Sequence, residues 1–214
     1  LDGAFSQDGT GGVSIAGDLA TTADTIDFDG AVTLTGDVAL DTGGGANISF
    51  ADGATIDGDT NGPWDLTVDA PGNTIAFGAT SAAGNGRIGN TNRLGTLTIT
   101  DADTVTFNGE VFVGALTQSA GGTQTTFTQA VDSGGNVDLD GTAFDIEDGL
   151  TTTSGGTVTV TNSGTLTVAD YTGNADTGTF DLDLDGAFSQ DGTGGVSIAG
   201  DLATTADTID FDGA

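Results

Sequence analysis

Apolar and polar residues alternate along most of this chain. Val, Ile, Leu or Phe takes every second position in short segments such as TIDFDG, AVTLTG, TLTITDADTVTF and TVTVTNSGTLTV, with Thr, Ser or Asp between. A two-residue period indicates a β-strand with one buried face. Gly, Asn and Asp cluster between the segments, as in DTGGG, DSGG and TSGG, and they tolerate the backbone angles of tight corners. The pattern predicts many short strands, tight corners and no helix.

Three longer units share one order of elements. Residues 25–45, 104–122 and 136–156 each contain three short apolar segments and end in a Gly pair. Three short strands in about 20 residues are what one coil of a parallel β-helix needs. The predicted fold class is therefore all-β, a parallel β-helix (β-solenoid) built of short strands and Gly/Asn/Asp corners, with roughly 20 residues per coil. A string of immunoglobulin-like sandwiches would give two similar halves, and the chain shows none.

The chain ends with the string that begins it. Residues 1–31 and 184–214 are identical, at an offset of 183 residues. Repeats at a fixed period indicate a tandem array. We therefore expect residues 1–183 to be one full repeat of a continuous β-solenoid, with the start of the next identical repeat at 184–214, in a segment of a longer array. At about 20 residues per coil such a repeat holds roughly nine coils and advances on the order of 45 Å. A duplication confined to the termini is the alternative.

The alternation also predicts the core. In TIDFDG and FDLDLDG the apolar residues should point inward, while Asp27 and Asp181 should point outward. The predicted core residues are Ile26, Phe28, Ile48, Phe50, Val105, Phe107, Leu139, Val158, Val160, Leu166, Val168, Phe180 and Leu182.

The charge of the chain narrows its function classes. Of 214 residues, 32 are acidic and two are basic, the net charge is −30, and there is no His or Cys. Nucleic acid is not expected as a partner, because phosphate binding needs clusters of Lys and Arg. No apolar run has the length of a membrane span. The carboxylates are numerous, but no pair stands out as the acid and base of a glycosidase.

The two basic residues, Arg87 and Arg93, both lie in GNGRIGNTNRLG, which predicts a loop. A polysaccharide lyase of the β-helix type would need one of them as its base. We expect both instead in solvent or against the acidic face of a neighbour. Without His, Cys or Lys the common nucleophile–base pairs cannot form. The chain is therefore not predicted to be an enzyme, and no cofactor is expected to be required.

One segment has the order of a calcium loop. In DGDTNGPWD the residues Asp57, Asp59 and Asn61 take the first three ligand positions of an EF-hand-type loop, and Asp65 takes the ninth. Val68 stands where the closing carboxylate belongs. We therefore take Asp57, Asp59, Asn61 and Asp65 as candidate Ca²⁺ ligands, with a plain Asx/Gly turn as the alternative.

Outward Asp residues suggest a second source of cation affinity. Stacked coils would bring them within about 5 Å, where repulsion is on the order of 1 kcal/mol per pair in water. Either calcium or a high-salt habitat would relieve that repulsion. Rows of Thr, as in TLTIT, resemble the faces of ice-binding proteins, but Thr is also the usual polar residue of an exposed strand.

The alternation of TLTV-like strands with SGG-like corners resembles the β-strand-repeat regions of giant bacterial surface and filament proteins, namely filamentous-haemagglutinin-like adhesins and autotransporter-like passenger domains. The resemblance implies an extracellular or cell-surface β-solenoid with a mechanical role. We expect a structural repeat of a fibre whose partners are copies of itself. The stalk of a secreted adhesin and a calcium-dependent surface-layer or matrix component are the alternatives. Contact with a cell surface or a polysaccharide fits all three.

Overall fold

The computed structural model describes residues 1–82, 84–170, 181–205 and 207–212. This part of the chain contains 23 strands and no helix, and its strand pairings are parallel. The prediction of an all-β parallel β-solenoid is confirmed. The strands are β1 (Phe5–Gln7), β2 (Val13–Ile15), β3 (Leu19–Ala20), β4 (Ile26–Phe28), β5 (Val32–Leu34), β6 (Val38–Asp41), β7 (Ile48–Phe50), β8 (Ile56–Gly58), β9 (Leu66–Phe77), β10 (Leu94–Phe107), β11 (Val111–Gln118), β12 (Gln124–Phe127), β13 (Val131–Ser133), β14 (Val137–Gly141), β15 (Phe144–Ile146), β16 (Leu150–Thr152), β17 (Val158–Asn162), β18 (Leu166–Val168), β19 (Leu182–Leu184), β20 (Phe188–Gln190), β21 (Val196–Ile198), β22 (Leu202–Thr204) and β23 (Ile209–Phe211).

The strands stack in three columns along the solenoid. The first column contains β1, β4, β7, β9, β10, β12, β15, β18 and β21. The second contains β2, β5, β8, β11, β13, β16, β19 and β22, with Ile88 bridging β8 and β11. The third contains β3, β6, β9, β10, β11, β14, β17, β20 and β23. The long strands β9, β10 and β11 supply two columns each, so the described chain makes nine coils of three strand positions.

The coils differ in length because loops are inserted between strands. The distance along the chain is 19 residues between stacked Phe127 and Ile146, and 30 residues between stacked Phe77 and Phe107. As a result, the 183-residue offset spans fewer than the nine coils expected. Pattern alignment also missed a change of column. The unit 25–45 begins in the first column, whereas the unit 136–156 begins in the third with β14.

The core is a narrow apolar interior, and its composition agrees with the prediction. All the predicted core residues in the described part of the chain are buried, while Phe180 lies outside the described residues. Asp27 is half-buried and accepts a hydrogen bond from Thr25 at 2.8 Å. The prediction that Asp181 points outward is wrong, because this residue is only 4 % exposed. It stands just before a strand, where the next coil covers it, and its carboxylate accepts the N–H of Asp201 at 2.8 Å.

A ladder of phenylalanines fills the first column. Phe28, Phe50, Phe77, Phe107 and Phe127 lie in register, with ring centroids 4.7 to 5.2 Å apart and ring planes within 5 to 13° of parallel. The ring spacing is that of neighbouring strands, so the backbone ladder dictates the stack. Burying one such side chain contributes about 1.5–3 kcal/mol. The ladder therefore links five successive coils through their apolar interior.

Candidate functional site

The residue immediately before a strand often joins its coil to the next one. Asp18, Asp37 and Asp65 directly precede the third-column strands β3, β6 and β9. The Asp18 carboxylate accepts the N–H of Ala39 at 2.9 Å. Asp37 accepts the N–H of Asp65 at 3.0 Å, and Asp65 accepts that of Thr96 at 2.6 Å. In each pair the donor is stacked directly on the acceptor. We call these side chains entry acceptors.

Asparagine serves as an entry acceptor elsewhere in the solenoid. The Asn47 side chain accepts the N–H of Thr74 at 3.0 Å, and Asn136 accepts that of Thr157 at 3.1 Å. An amide oxygen therefore suffices, and negative charge is not required for the contact. Sequence reasoning missed this role. The signal was an Asp or Asn directly ahead of an apolar alternation, as in GDLA, GDVAL, WDLTV and GNVDL.

Two of the four candidate calcium ligands hold the backbone of the next coil. Asp57 lies in β8, and its carboxylate accepts the N–H of Thr91 at 2.7 Å. Asp65 is the entry acceptor of β9 and bonds to Thr96. These contacts connect each coil to the next one.

The other two candidates form a turn closed by the single tryptophan. Asp59 Oδ1 accepts the indole N–H of Trp64 at 2.7 Å and the backbone N–H of Asn61 at 2.9 Å. Asp59 Oδ2 accepts the side-chain amide of Asn61 at 2.6 Å. The hydrogen bond from Trp64, followed by those from Asn61, lowers the pKa of Asp59. Both oxygens of this carboxylate therefore already accept hydrogen bonds from the protein.

The geometry does not by itself assign a cation to this segment. Among the described residues, no group of three or more His, Cys, Asp or Glu side chains is placed to hold a metal ion. Calcium binding at Asp57, Asp59, Asn61 and Asp65 stays a prediction. A Ca²⁺ titration against monovalent salt at equal ionic strength tests it, because a specific site responds to the ion and screening responds only to ionic strength.

Hydroxyl side chains separate many of the outward carboxylates. Asp145 is stacked between Thr126 and Thr167, and Asp138 between Thr117 and Thr159. The expected ladders of adjacent carboxylates are absent at these positions. With a Thr above and below it, an Asp can meet another carboxylate of its column only two strand spacings away, at about 10 Å. That distance is close to the Debye length at about 0.1 M salt.

Asp41 and Asp69 are an exception, because they are stacked on each other in the third column. Burial raises the pKa of Asp69, and the charges of Asp41 and Asp101 raise it further. One oxygen of Asp69, Oδ1, is buried and accepts no hydrogen bond from the described residues. The predicted repulsion between stacked acids is therefore present at this pair.

Both arginines lie in the predicted loop, and both pair within the chain. The Arg93 guanidinium donates to the carbonyl of Val113 and to the carboxylate of Asp132, each at 2.8 Å. Val113 is one coil further along the solenoid, and Asp132 is two coils further. Arg87 forms an ion pair with Glu110. The arginines thus join successive coils of their own chain.

The two copies of the terminal string fold alike. Strands β20 to β23 occupy the same positions in the second copy as β1 to β4 occupy in the first. The register is also the same, because Phe188 pairs with Ile209 as Phe5 pairs with Ile26.

The two copies differ in what covers them. In the first copy Ile26 and Phe28 lie beneath β7 and are 0 % and 1 % exposed. Their equivalents in the second copy, Ile209 and Phe211, are 45 % and 41 % exposed. On the side that faces the preceding coil, the second copy is the covered one. Phe188 is fully buried on β17, whereas its equivalent in the first copy, Phe5, is only half-buried. Each copy is thus covered on the side that the other leaves open.

Comparison with known proteins adds no relative to this picture. No protein-family model, curated protein or solved structure matches the chain.

The described residues include no helix of the length and apolarity needed to cross a membrane.

Proposed function

We propose that this chain is a structural repeat of an extracellular fibre, in which identical repeats continue one solenoid end to end and fibres associate with copies of themselves. The observation that carries the proposal is the pair of identical terminal strings. They fold in the same way, and each exposes the apolar and backbone groups that the other has covered. The role is mechanical, and no catalytic step is involved.

The open end of the solenoid fits one specific occupant. In the first copy, β2, β3 and β4 are covered by β5, β6 and β7. The same three strands in the second copy are β21, β22 and β23; each pairs with the preceding coil, and no described strand pairs with its outer edge. A following repeat would supply the sequence of residues 32–50, and with it strands that match this end in register and side chains. Growth of the array therefore needs no new type of contact.

Such a fibre would bear load along its axis through three sets of interactions. Backbone hydrogen bonds join every coil to the next in all three columns. The phenylalanine ladder joins five successive coils inside, and the entry acceptors join several coils at their corners. Because the strands of each coil pair only with those of the adjacent coils, stability grows with the number of coils.

The surface suits a long polymer outside the cell. The net charge of −30 keeps such a polymer in solution, and the alternation of Asp with Thr limits repulsion within one fibre. The resemblance of the strand pattern to bacterial surface-protein repeats supports the location. Lateral association with identical acidic fibres would be favoured by salt or divalent cations, which screen the repulsion.

Extension of the chain tests the proposal. A protein lengthened after Ala214 by a copy of residues 32–58 should unfold at a higher temperature than the 214-residue chain, because the added strands cover Ile209 and Phe211. The control carries the same added residues in scrambled order, which cannot pair in register. Equal melting temperatures for the two lengthened proteins would contradict the proposal.

Electron cryomicroscopy of native material supplies the second test. Continuous filaments with an axial repeat set by one 183-residue period are expected. Isolated particles with a distinct head would instead indicate the stalk of an adhesin.

A further inference from the structure

The 183-residue period does not contain a whole number of coils. The chain enters the first column at β1 and reaches the copy of that strand, β20, in the third column. From β1 up to, but not including, β20, the described residues fill 23 strand positions, three to a coil, which is seven and two-thirds coils. The second copy of the string therefore starts one column earlier in the cycle than the first.

Two strand pairings establish this offset. Ser189 of β20 is stacked on Thr159 of β17, which belongs to the third column. The strand that follows β20, β21, is the one that enters the first column. Its Ser197 is stacked on Thr167 of β18. A period of eight whole coils would instead place Ser189 on Thr167.

We propose that successive repeats are offset by one column, so that the array is a screw in which each feature returns to its starting column only after three repeats. The inference rests on the proposed fibre. At the spacing of parallel strands, one repeat advances about 37 Å and three repeats advance about 110 Å. The shift of one column corresponds to a rotation of about one-third of a turn per repeat, in addition to any twist of the coils themselves.

The screw determines which edges of the solenoid present the same turn to a neighbouring fibre. The turn from Asp59 to Trp64 projects at the corner between the second and third columns, since it connects β8 to β9. In the next repeat the same turn would lie at the corner between the first and second columns, and in the third repeat at the remaining corner. A second copy of the fibre can therefore make the same contacts along each of three edges. With whole-coil repeats, only one edge would carry the turn.

Pairs of introduced cysteines test the offset in the 214-residue chain. The chain has no cysteine of its own. Stacked residues lie within the Cα separation of about 4.4–6.8 Å that a disulfide spans. Mild oxidation of the Thr159→Cys/Ser189→Cys variant should give an intramolecular cross-link. Thr167→Cys/Ser197→Cys should cross-link as well, and it serves as the positive control for the first column.

The matched variant Thr167→Cys/Ser189→Cys should remain at the background level of cross-linking, measured by non-reducing peptide mapping at low protein concentration. Efficient cross-linking of this variant, with loss of the cross-link between positions 159 and 189, would show a whole-coil period and overturn the offset. Because these measurements use single chains, they do not depend on fibre formation.

Helical reconstruction of native filaments then tests the screw itself. We expect a rise of about 37 Å per repeat, with equivalent turns on three edges. Filaments with every turn on one edge would overturn the screw and leave the fibre standing. Material without filaments, together with the expected cross-links, would overturn the fibre and leave the column offset standing.

Discussion

Phe77 illustrates how single residues hold the interior together. Its ring is fully buried between those of Phe50 and Phe107, with centroids 5.2 and 4.8 Å away. The Phe77→Ala variant should lose about 3–5 kcal/mol of unfolding free energy, because a cavity opens in a column whose backbone spacing prevents collapse. Phe77→Leu, which refills most of the volume, should lose clearly less. Urea unfolding measures both, and an equal loss would contradict a role for close packing.

Asp69 should make the stability of the fold depend on pH, with a sign that follows from its raised pKa. Its pKa is raised above 3.8, first by burial and then by Asp41 and Asp101. Protonation therefore favours the folded state. This stabilisation is fully present below the unfolded pKa of 3.8 and is lost as the pH rises through the raised folded pKa.

Neutralising this carboxylate should therefore stabilise the protein at pH 7. Asp69→Asn should gain about 0.2–1 kcal/mol, towards the lower end because the carboxylates are partly solvated. It should also flatten the pH dependence of unfolding over the window between 3.8 and the raised pKa. The control is Asp138→Asn, since Asp138 is stacked between Thr117 and Thr159 and should change little. A gain for the control as large as that for Asp69→Asn would trace the effect to net charge instead.

Strands and their buried faces could be predicted from the sequence because a strand has a fixed two-residue period. The alternation Ile26, Asp27, Phe28 has one arrangement that buries both apolar residues, and the structure adopts it. Asp181 could not be placed in the same way, because it precedes its strand and its environment is set by the coil stacked on it. The partners of Arg93 could not be predicted from the sequence either, since Asp132 lies two coils further along.

Columns could not be predicted from the pattern, because the column of a strand depends on all the loops before it. The units 25–45 and 136–156 look alike in sequence yet begin in different columns. The candidate calcium ligands show a related limit. Their spacing indicated a loop, but the pattern could not show that the backbone N–H groups of Thr91 and Thr96 would meet Asp57 and Asp65.

The entry acceptors predict a specific effect at the start of a strand. Asp65→Ala removes the acceptor for the N–H of Thr96 and should cost about 1 kcal/mol. Asp65→Asn should lose little, because Asn47 and Asn136 fill the same role naturally. Hydrogen exchange of the Thr96 amide should accelerate in the Ala variant only. Faster exchange in the Asn variant as well would indicate that the charge, rather than the oxygen, holds the coil above.

The 214-residue chain should be least stable at its two ends. A solenoid loses coils from its ends more readily than from its middle, because a terminal coil has one neighbour. The identical strings provide a matched comparison, since Ile26–Phe28 and Ile209–Phe211 have the same sequence and the same intrinsic exchange rates. We expect the amides of β23 to exchange much faster than those of β4. NMR can measure this, because it separates identical strings by environment; equal rates would contradict unzipping from the end.

The confinement of both arginines to a single loop has a consequence for proteolysis. Arg87 and Arg93 are the only basic residues of the 214, so trypsin finds cleavable bonds in just one short stretch of the proposed 183-residue repeat. The two bonds precede Ile88 and Leu94, which are fully buried, so their cleavage requires local opening of the solenoid. For the proposed fibre, partial tryptic digestion under conditions that permit this opening should give a ladder of bands one repeat apart, and a single band would contradict a tandem array.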